Sequence, residues 1–229
     1  MSNSILLEDA LLLIEQNFYF LHVGEFFGNL SKEQELANND IDIKRYFSEV
    51  QNYHFNQNII KELLHDAYQT DQKETTLFEY FVEFNAFRGI CMAMVEALRL
   101  EEPFRQFMQI RLGDQFENFF DIVSFVRNVL SHNIHAQILL SEKDYAGTLK
   151  RIRRHRRERD ILFAFTYAND LPEIGSPSIN YGFSCHIDFE SLKEGMPFLE
   201  VISHWELMML SELCFNLVMA YKIFLESSK

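Results

Sequence analysis

Apolar residues recur at intervals of three and four positions along most of this chain, and this spacing constrains the fold more than any other feature of the sequence. The spacing puts one apolar side chain per turn on the same face of an α-helix, and such a face must be covered by other helices. We therefore expect a mainly helical protein, an up-down bundle formed by a single domain over residues 1–229. The stretches that carry the pattern are residues 5–27, 59–68, 77–102, 115–132 and 199–225.

Residues that break helices mark where these stretches are expected to end. Gly28 and Asn29 should close the first helix, because both residue types tolerate the left-handed conformation that follows many helices. Pro103 should stop the third helix, because proline lacks an amide hydrogen. Residues 31–58 and 141–150 show no sustained helical spacing, and we expect loops there, with short helical turns in the first of them.

A β-hairpin is expected between the last two long helices. Ile161 to Tyr167 is a run of aliphatic and aromatic residues, and apolar residues alternate from Ile179 to Phe189. Glycine, proline and asparagine between these runs favour a turn. The pattern predicts an antiparallel hairpin near residues 161–189, and with the basic segment before it this insertion covers about residues 141–190.

The chain has a formal net charge of −13, so its long-range field repels polyanions and any contact with nucleic acid must be local. The basic arm, residues 150–160, is the exception, with seven Lys or Arg side chains against two acidic ones. It is either a solvated, exposed segment or a patch that follows the phosphates of RNA, for which arginine is better suited than lysine. The predicted RNA-binding residues are Arg151, Arg153, Arg154, Arg156 and Arg157.

The cysteine content and the hydropathy pattern indicate a cytoplasmic protein. The three cysteines lie far apart in the sequence, which favours reduced thiols over disulfides or a zinc site. The leucine-rich start contains acidic residues and has no basic leader, which favours a helix over a signal peptide. No motif for a metal or a cofactor is visible. We expect no membrane span near the C-terminus, because the apolar stretch there is interrupted by Glu206, Glu212, Asn216 and Lys222.

The segment with the clearest chemistry lies near the end of the fourth predicted helix, where Arg127 is followed by Asn128 and, five positions on, by His132. Histidine can take up or release a proton near neutral pH. Arginine stays charged and can bond two phosphate oxygens at once. Asn128 can donate to a phosphate oxygen or fix the rotamer of its neighbour. Arg127, Asn128 and His132 are therefore candidate catalytic residues.

Arg127, Asn128 and His132 resemble the Arg-x(4–6)-His motif of the HEPN superfamily, in which a polar residue often follows the arginine. The helical stretches around the motif fit the helical bundle of that superfamily. The resemblance implies a metal-independent endoribonuclease that works as a homodimer, as a toxin or in defence against mobile elements, with an antitoxin or a nucleotidyltransferase as partner. The basic arm, the hairpin and the polar residues 31–58 depart from the superfamily's outline and leave the subfamily open.

The spacing within the motif has a geometric consequence. Five residues at about 100° each put Arg127 and His132 roughly 140° apart around an ideal helix. Either the helix ends or distorts before His132, or two chains share one site, which agrees with the implied homodimer. Two further residues are considered as helpers, Glu83 and His135.

A second interpretation of the motif stays open. Arg127 could pair with an acidic residue on a neighbouring helix, and His132 could complement the dipole at the end of its own helix. The protein would then be a non-catalytic helical module that binds RNA or another protein through residues 150–159 and the hairpin.

Overall fold

The computed structural model describes residues 2–34, 44–46, 52–54, 56–66, 79–133, 138–155, 157–166 and 182–227. Its helices are α1 (Ser2–Gln34), α2 (Gln57–Asp66), α3 (Asn85–Leu100), α4 (Glu102–Leu112), α5 (Phe116–His132), α6 (Glu142–Arg154), α7 (Phe198–Val201) and α8 (His204–Ser227). A π-helical turn at Glu79–Phe84 leads into α3, and a 3-10 turn at Gly113–Gln115 joins α4 to α5. The strands are β1 (Lys44–Tyr46), β2 (Asn52–His54), β3 (Asp160–Thr166) and β4 (Gly182–Asp188).

The fold is mainly helical and carries the predicted antiparallel hairpin, formed by β3 and β4. The register pairs Asp160 with Asp188 at one end and Thr166 with Gly182 at the other. Side chains alternate as expected of a half-buried sheet, with Phe163 buried. The Phe163 ring lies 5.7 Å from that of Phe119 on α5, so the inner face of the hairpin packs on that helix.

The described residues divide into two compact units. The first contains the residues up to Tyr19 and those from Ala86 onward. Helix α5 lies in its core, because the predicted stripe of apolar side chains is almost completely shielded from solvent. Phe125 is also buried. The centre of its ring lies 5.4 Å from that of Phe189 and 6.0 Å from that of Phe198, so α5 is covered on more than one side. The buried stripe consists of Phe119, Ile122, Val123, Val126 and Leu130.

The second unit spans Phe20 to Asn85 and is described by itself. It contains the second half of α1, helix α2, the π-helical turn and an antiparallel pair formed by β1 and β2. The β1–β2 pair lies in the segment 31–58, where the sequence analysis expected a loop with short helical turns, so that expectation was incomplete. Short strands escape a periodicity argument, because three residues are too few to show alternation.

Three predicted helix boundaries were wrong. Helix α1 continues through Gly28 and Asn29 to Gln34, since one glycine costs a helix only about 1 kcal/mol and does not end it by itself. Residues 141–150, expected to be a loop, form most of α6. The last helical stretch is interrupted between α7 and α8, where Ser203 and Glu206 cap the start of α8 through hydrogen bonds of 2.6 to 3.2 Å.

Two apolar side chains of the last helical stretch do not face inward. Leu199 is 36% exposed and Phe224 is 50% exposed. Leu199 lies in α7, and the break between α7 and α8 changes the helical phase relative to the buried stripe of α8. Phe224 lies in the last turn of α8. Among the described helices, only α8 has the length and composition of a membrane span, and 61% of its most apolar window is buried inside the protein.

Candidate functional site

The Arg-Asn-…-His motif lies at the C-terminal end of α5, which is fixed by hydrogen bonds from two directions. The Asn133 side-chain amide donates to the Val129 carbonyl at 2.8 Å. Arg88 on α3 donates from Nε to the Leu130 carbonyl at 2.6 Å. The last carbonyls of a helix lack partners within the helix, so these bonds stabilise its end. His132, the last residue of α5, therefore projects from a well-anchored position.

Asp144, in the first turn of α6, is the residue on which the motif converges. Its side chain is completely buried, yet both of its oxygens have donors. The Ser141 backbone amide and hydroxyl each donate to Oδ2 at 2.8 Å, as part of a capping box at the start of α6. The other oxygen, Oδ1, lies 2.8 Å from Nδ1 of His132. A buried carboxylate is tolerated where its oxygens are bonded in this way.

The contact with Asp144 sets the chemistry of the His132 ring. A carboxylate only accepts hydrogen bonds, so Nδ1 of the imidazole carries the hydrogen of this bond. In the neutral ring Nε2 then holds a lone pair. The His132 side chain is 35% exposed, and Nε2 has no hydrogen-bond partner in the described part of the chain. An oriented imidazole with a free basic nitrogen is the arrangement of a general base.

Asn128 links Arg127 to the same helix end. Its Nδ2 donates to the backbone carbonyl of Asp144 at 3.3 Å, and its Oδ1 accepts from Nη1 of Arg127 at 3.0 Å. Of the two roles predicted for Asn128, this contact corresponds to fixing the rotamer of its neighbour. His132 and Asn128 thus contact Asp144 directly, and Arg127 connects to it through Asn128.

The guanidinium of Arg127 keeps donors that the described residues do not use. Its Nη2 lies 4.0 Å from Oε1 of Glu96 on α3, at the outer limit of an ion pair. Its Nε is buried and has no hydrogen-bond partner among the residues described. The side chain is 29% exposed. A cation with spare donors can bind an anion such as a phosphate.

The arginines of the basic arm have two different environments. Arg151 and Arg157 both bond the buried carboxylate of Asp121 on α5, and the Arg151 guanidinium also lies 4.1 Å from the centre of the Phe120 ring. Burial raises the pKa of the Asp121 carboxyl, and the two guanidinium groups offset part of that rise. Arg151 and Arg157 therefore connect the arm to the core.

The remaining predicted arginines of the arm are placed differently. Arg153 and Arg154 are exposed near the end of α6. Arg156 lies outside the described residues, as does His135, which was considered as a helper. Glu83 belongs to the π-helical turn in the second unit.

The described residues offer little for a metal or a reactive thiol. They contain no group of three or more His, Cys, Asp or Glu side chains placed to hold a metal ion. Cys91, Cys185 and Cys214 are free and buried. Burial raises the pKa of the Cys91 thiol to about 12, so this thiol stays protonated at neutral pH.

Sequence reasoning missed Ser141 and Asp144, although a local signal was present. Ser141-x-x-Asp144 has the spacing of a capping box and predicts a helix start. The weak apolar pattern of the following residues favoured a loop instead.

Comparisons of this chain with protein-family models, with curated proteins and with solved structures find no match.

Proposed function

We propose that this chain is a metal-independent endoribonuclease of the HEPN type, with Arg127 and His132 as its catalytic residues. The observation that carries the proposal is the placement of the His132 ring. Asp144 holds its Nδ1, its Nε2 has no partner among the described residues, and Asn128 bonds the guanidinium of Arg127. This set contains a proton acceptor and a phosphate-binding cation, which is what the reaction requires.

The proposed reaction proceeds by attack of the 2′-hydroxyl on the neighbouring phosphorus. Nε2 of His132 accepts the hydroxyl proton while the 2′-oxygen forms its bond to phosphorus. The bond from phosphorus to the 5′-oxygen then breaks, and that oxygen takes a proton from the protonated imidazolium ring of a second histidine. Arg127 stabilises the charge on the non-bridging oxygens as the pentacoordinate phosphorane forms. The products are a 2′,3′-cyclic phosphate and a 5′-hydroxyl.

A second histidine is needed as the acid, and we propose that a homodimer supplies it. Helix α5 continues through His132, so it does not end or distort before that residue. Arg127 and His132 consequently leave the helix in directions roughly 140° apart. A two-fold axis beside this helix end would bring two arginines and two histidines around one phosphodiester, with base and acid from different subunits.

Helix α6 offers a path for the RNA strand away from the site. Asp144 lies in its first turn, and the exposed Arg153 and Arg154 lie near its end, about 15 Å further along the helix axis. These side chains can contact phosphates on either side of the bond that is cut. Arg151 and Arg157 contribute mainly to the fold, through their bonds to Asp121.

The biological setting that goes with this chemistry is that of a cytoplasmic toxin or defence nuclease, controlled by an antitoxin or a nucleotidyltransferase partner. This part of the proposal follows from the resemblance of the Arg127–His132 motif to the HEPN superfamily.

The chemistry of the RNA ends tests the proposal. Purified protein is incubated with total RNA in the presence of a chelator, and the ends of the fragments are analysed. We expect fragments with 2′,3′-cyclic phosphate and 5′-hydroxyl ends. Fragments with 3′-hydroxyl ends, or cleavage that stops when the chelator is added, would contradict it. Retarded but intact RNA would favour the non-catalytic binding module.

A further inference from the structure

We infer that Asp144 is a positioning residue that holds His132 in the tautomer with hydrogen on Nδ1 and thereby makes Nε2 the proton acceptor of the site. The catalytic part of this inference rests on the proposed function. The part that concerns the tautomer does not, because it follows from hydrogen bonds within the chain.

Among the described residues, Ser141 and His132 donate to the buried carboxylate of Asp144. The backbone amide and the hydroxyl of Ser141 both donate to Oδ2, so the capping box of α6 provides no donor for Oδ1. An oxygen of a fully buried carboxylate without a donor is costly, and in this chain Nδ1 of His132 fills that place at 2.8 Å. The ring and the carboxylate are therefore coupled more tightly than helix capping alone requires.

Replacement of this carboxylate by an amide has a result that the geometry determines. In Asp144→Asn, the backbone amide of Ser141 still needs an acceptor, so the amide oxygen must take the place of Oδ2. The amide nitrogen then occupies the place of Oδ1 and donates to Nδ1 of His132. A ring nitrogen that accepts a hydrogen bond carries no hydrogen, so the neutral ring moves its hydrogen to Nε2.

This switch removes the proposed base while nearly preserving the shape of the site. In the wild-type chain, Nε2 accepts the proton of the 2′-hydroxyl, and the carboxylate of Asp144 stabilises the imidazolium that forms. In Asp144→Asn, Nε2 is already a donor and cannot accept. If the role of Asp144 were purely structural, Asp144→Asn would lower the stability of α6, but the ring of His132 would show no defined preference for either tautomer.

The chain contains a matched control for this experiment. His186 and Asp160 form a second histidine–aspartate pair at the edge of the β3–β4 hairpin, and their side chains are 60% and 64% exposed. Asp160→Asn makes the same chemical change in an exposed pair outside the proposed site. We expect it to leave the tautomer of His132 and the cleavage of RNA unchanged.

The test combines nitrogen NMR with an RNA cleavage assay. Histidine labelled with ¹⁵N is introduced into the wild type, Asp144→Asn and Asp160→Asn, and spectra are recorded at a pH where the ring of His132 is neutral. We expect hydrogen on Nδ1 in the wild type and on Nε2 in Asp144→Asn. The cleavage rate of Asp144→Asn should fall on the order of 10³- to 10⁴-fold.

The outcomes separate this inference from the proposed function. Hydrogen on Nε2 in the wild type, which needs no variant to be measured, would overturn the inference. So would a tautomer switch in Asp144→Asn with undiminished cleavage. If the tautomer switches as expected but the wild type does not cut RNA, the proposed function fails and the coupling of Asp144 to His132 is supported.

Discussion

Arg127 has few contacts to lose, so its catalytic role can be separated from folding. Within the described part of the chain, its guanidinium has one hydrogen bond of 3.0 Å, to Asn128, and lies 4.0 Å from the Glu96 carboxylate. In the proposed mechanism the same group bonds two phosphate oxygens through its planar fork, which lysine lacks.

We predict that Arg127→Lys lowers kcat for RNA cleavage by about 10²- to 10³-fold, because one or more donors to the transition state are lost. Single-turnover kinetics measure the effect. Arg99→Lys, on the exposed side of α3, is the control and should cleave at the wild-type rate. Equal rates for Arg127→Lys and the wild type would mean that the guanidinium does not contact the reacting phosphate.

Some residues of the candidate site can be recognised from the sequence alone, and others cannot. Arg127, Asn128 and His132 form a local pattern within six positions, and such a pattern can be read directly. Asp144, the partner of His132, could not be recognised in this way. It is twelve positions away, and its contact with His132 depends on how α6 packs against α5. Burial of a carboxylate is a tertiary property that no local spacing encodes.

At the scale of elements, Asp121 on α5 binds Arg151 of α6 and Arg157, which follows that helix. Desolvation offsets much of the attraction in a buried pair, in line with the raised pKa of Asp121. Loss of the carboxylate is nevertheless costly, because it leaves two mostly buried cations without a counter-charge.

We predict that Asp121→Asn lowers the free energy of unfolding by about 3–5 kcal/mol. Urea denaturation followed by circular dichroism measures the change. Asp160→Asn, which alters an exposed ion pair, should cost less than about 1 kcal/mol. If both variants lose the same small amount, the Asp121 cluster does not hold the arm to the core.

The same division of the basic arm predicts separable effects on RNA binding. The double variant Arg153→Ala/Arg154→Ala should weaken RNA binding and reduce the slope of log affinity against log salt by about 1 to 2, without loss of stability. Arg151→Ala should instead lower stability, because it removes a partner of Asp121. Fluorescence anisotropy at several salt concentrations measures binding. An unchanged salt slope in the double variant would remove these two arginines from the RNA path.

The elements that the sequence predicted well are those with long apolar periods or strict alternation. The stripe of α5 and the strands β3 and β4 lie where expected, because burial of one face requires just these patterns. Helix α6 was missed, because it buries only a few side chains and its start is defined by the capping box at Ser141. The start of α8 at Ser203 was missed for the same reason.

At the scale of the whole molecule, the proposed mechanism requires two chains to form one site. Among the described residues of a single chain, the hydrogen-bond network around Asp144 holds one imidazole and one guanidinium, and the proposed reaction uses a base and an acid. The second imidazole would be His132 of another copy.

We predict that activity in mixtures of wild type and His132→Ala follows the square of the wild-type fraction, because only dimers with two intact histidines are active. Subunits are exchanged to equilibrium before RNA is added, and the total protein concentration is held constant. A linear dependence on the wild-type fraction would show that each chain acts by itself. A molecular mass in solution equal to that of one chain would agree with that result.

The most direct test of the central claim is the rate at which His132→Ala cuts RNA in the presence of a chelator. His186→Ala, which changes the exposed histidine of the hairpin, serves as the matched control. We predict that His132→Ala keeps the wild-type fold at reduced stability, because Oδ1 of the buried Asp144 loses its donor. Its cleavage should fall by at least about 10²- to 10⁴-fold, the usual contribution of a general acid or base, while His186→Ala keeps the wild-type rate. Cleavage by His132→Ala at the wild-type rate would contradict the account.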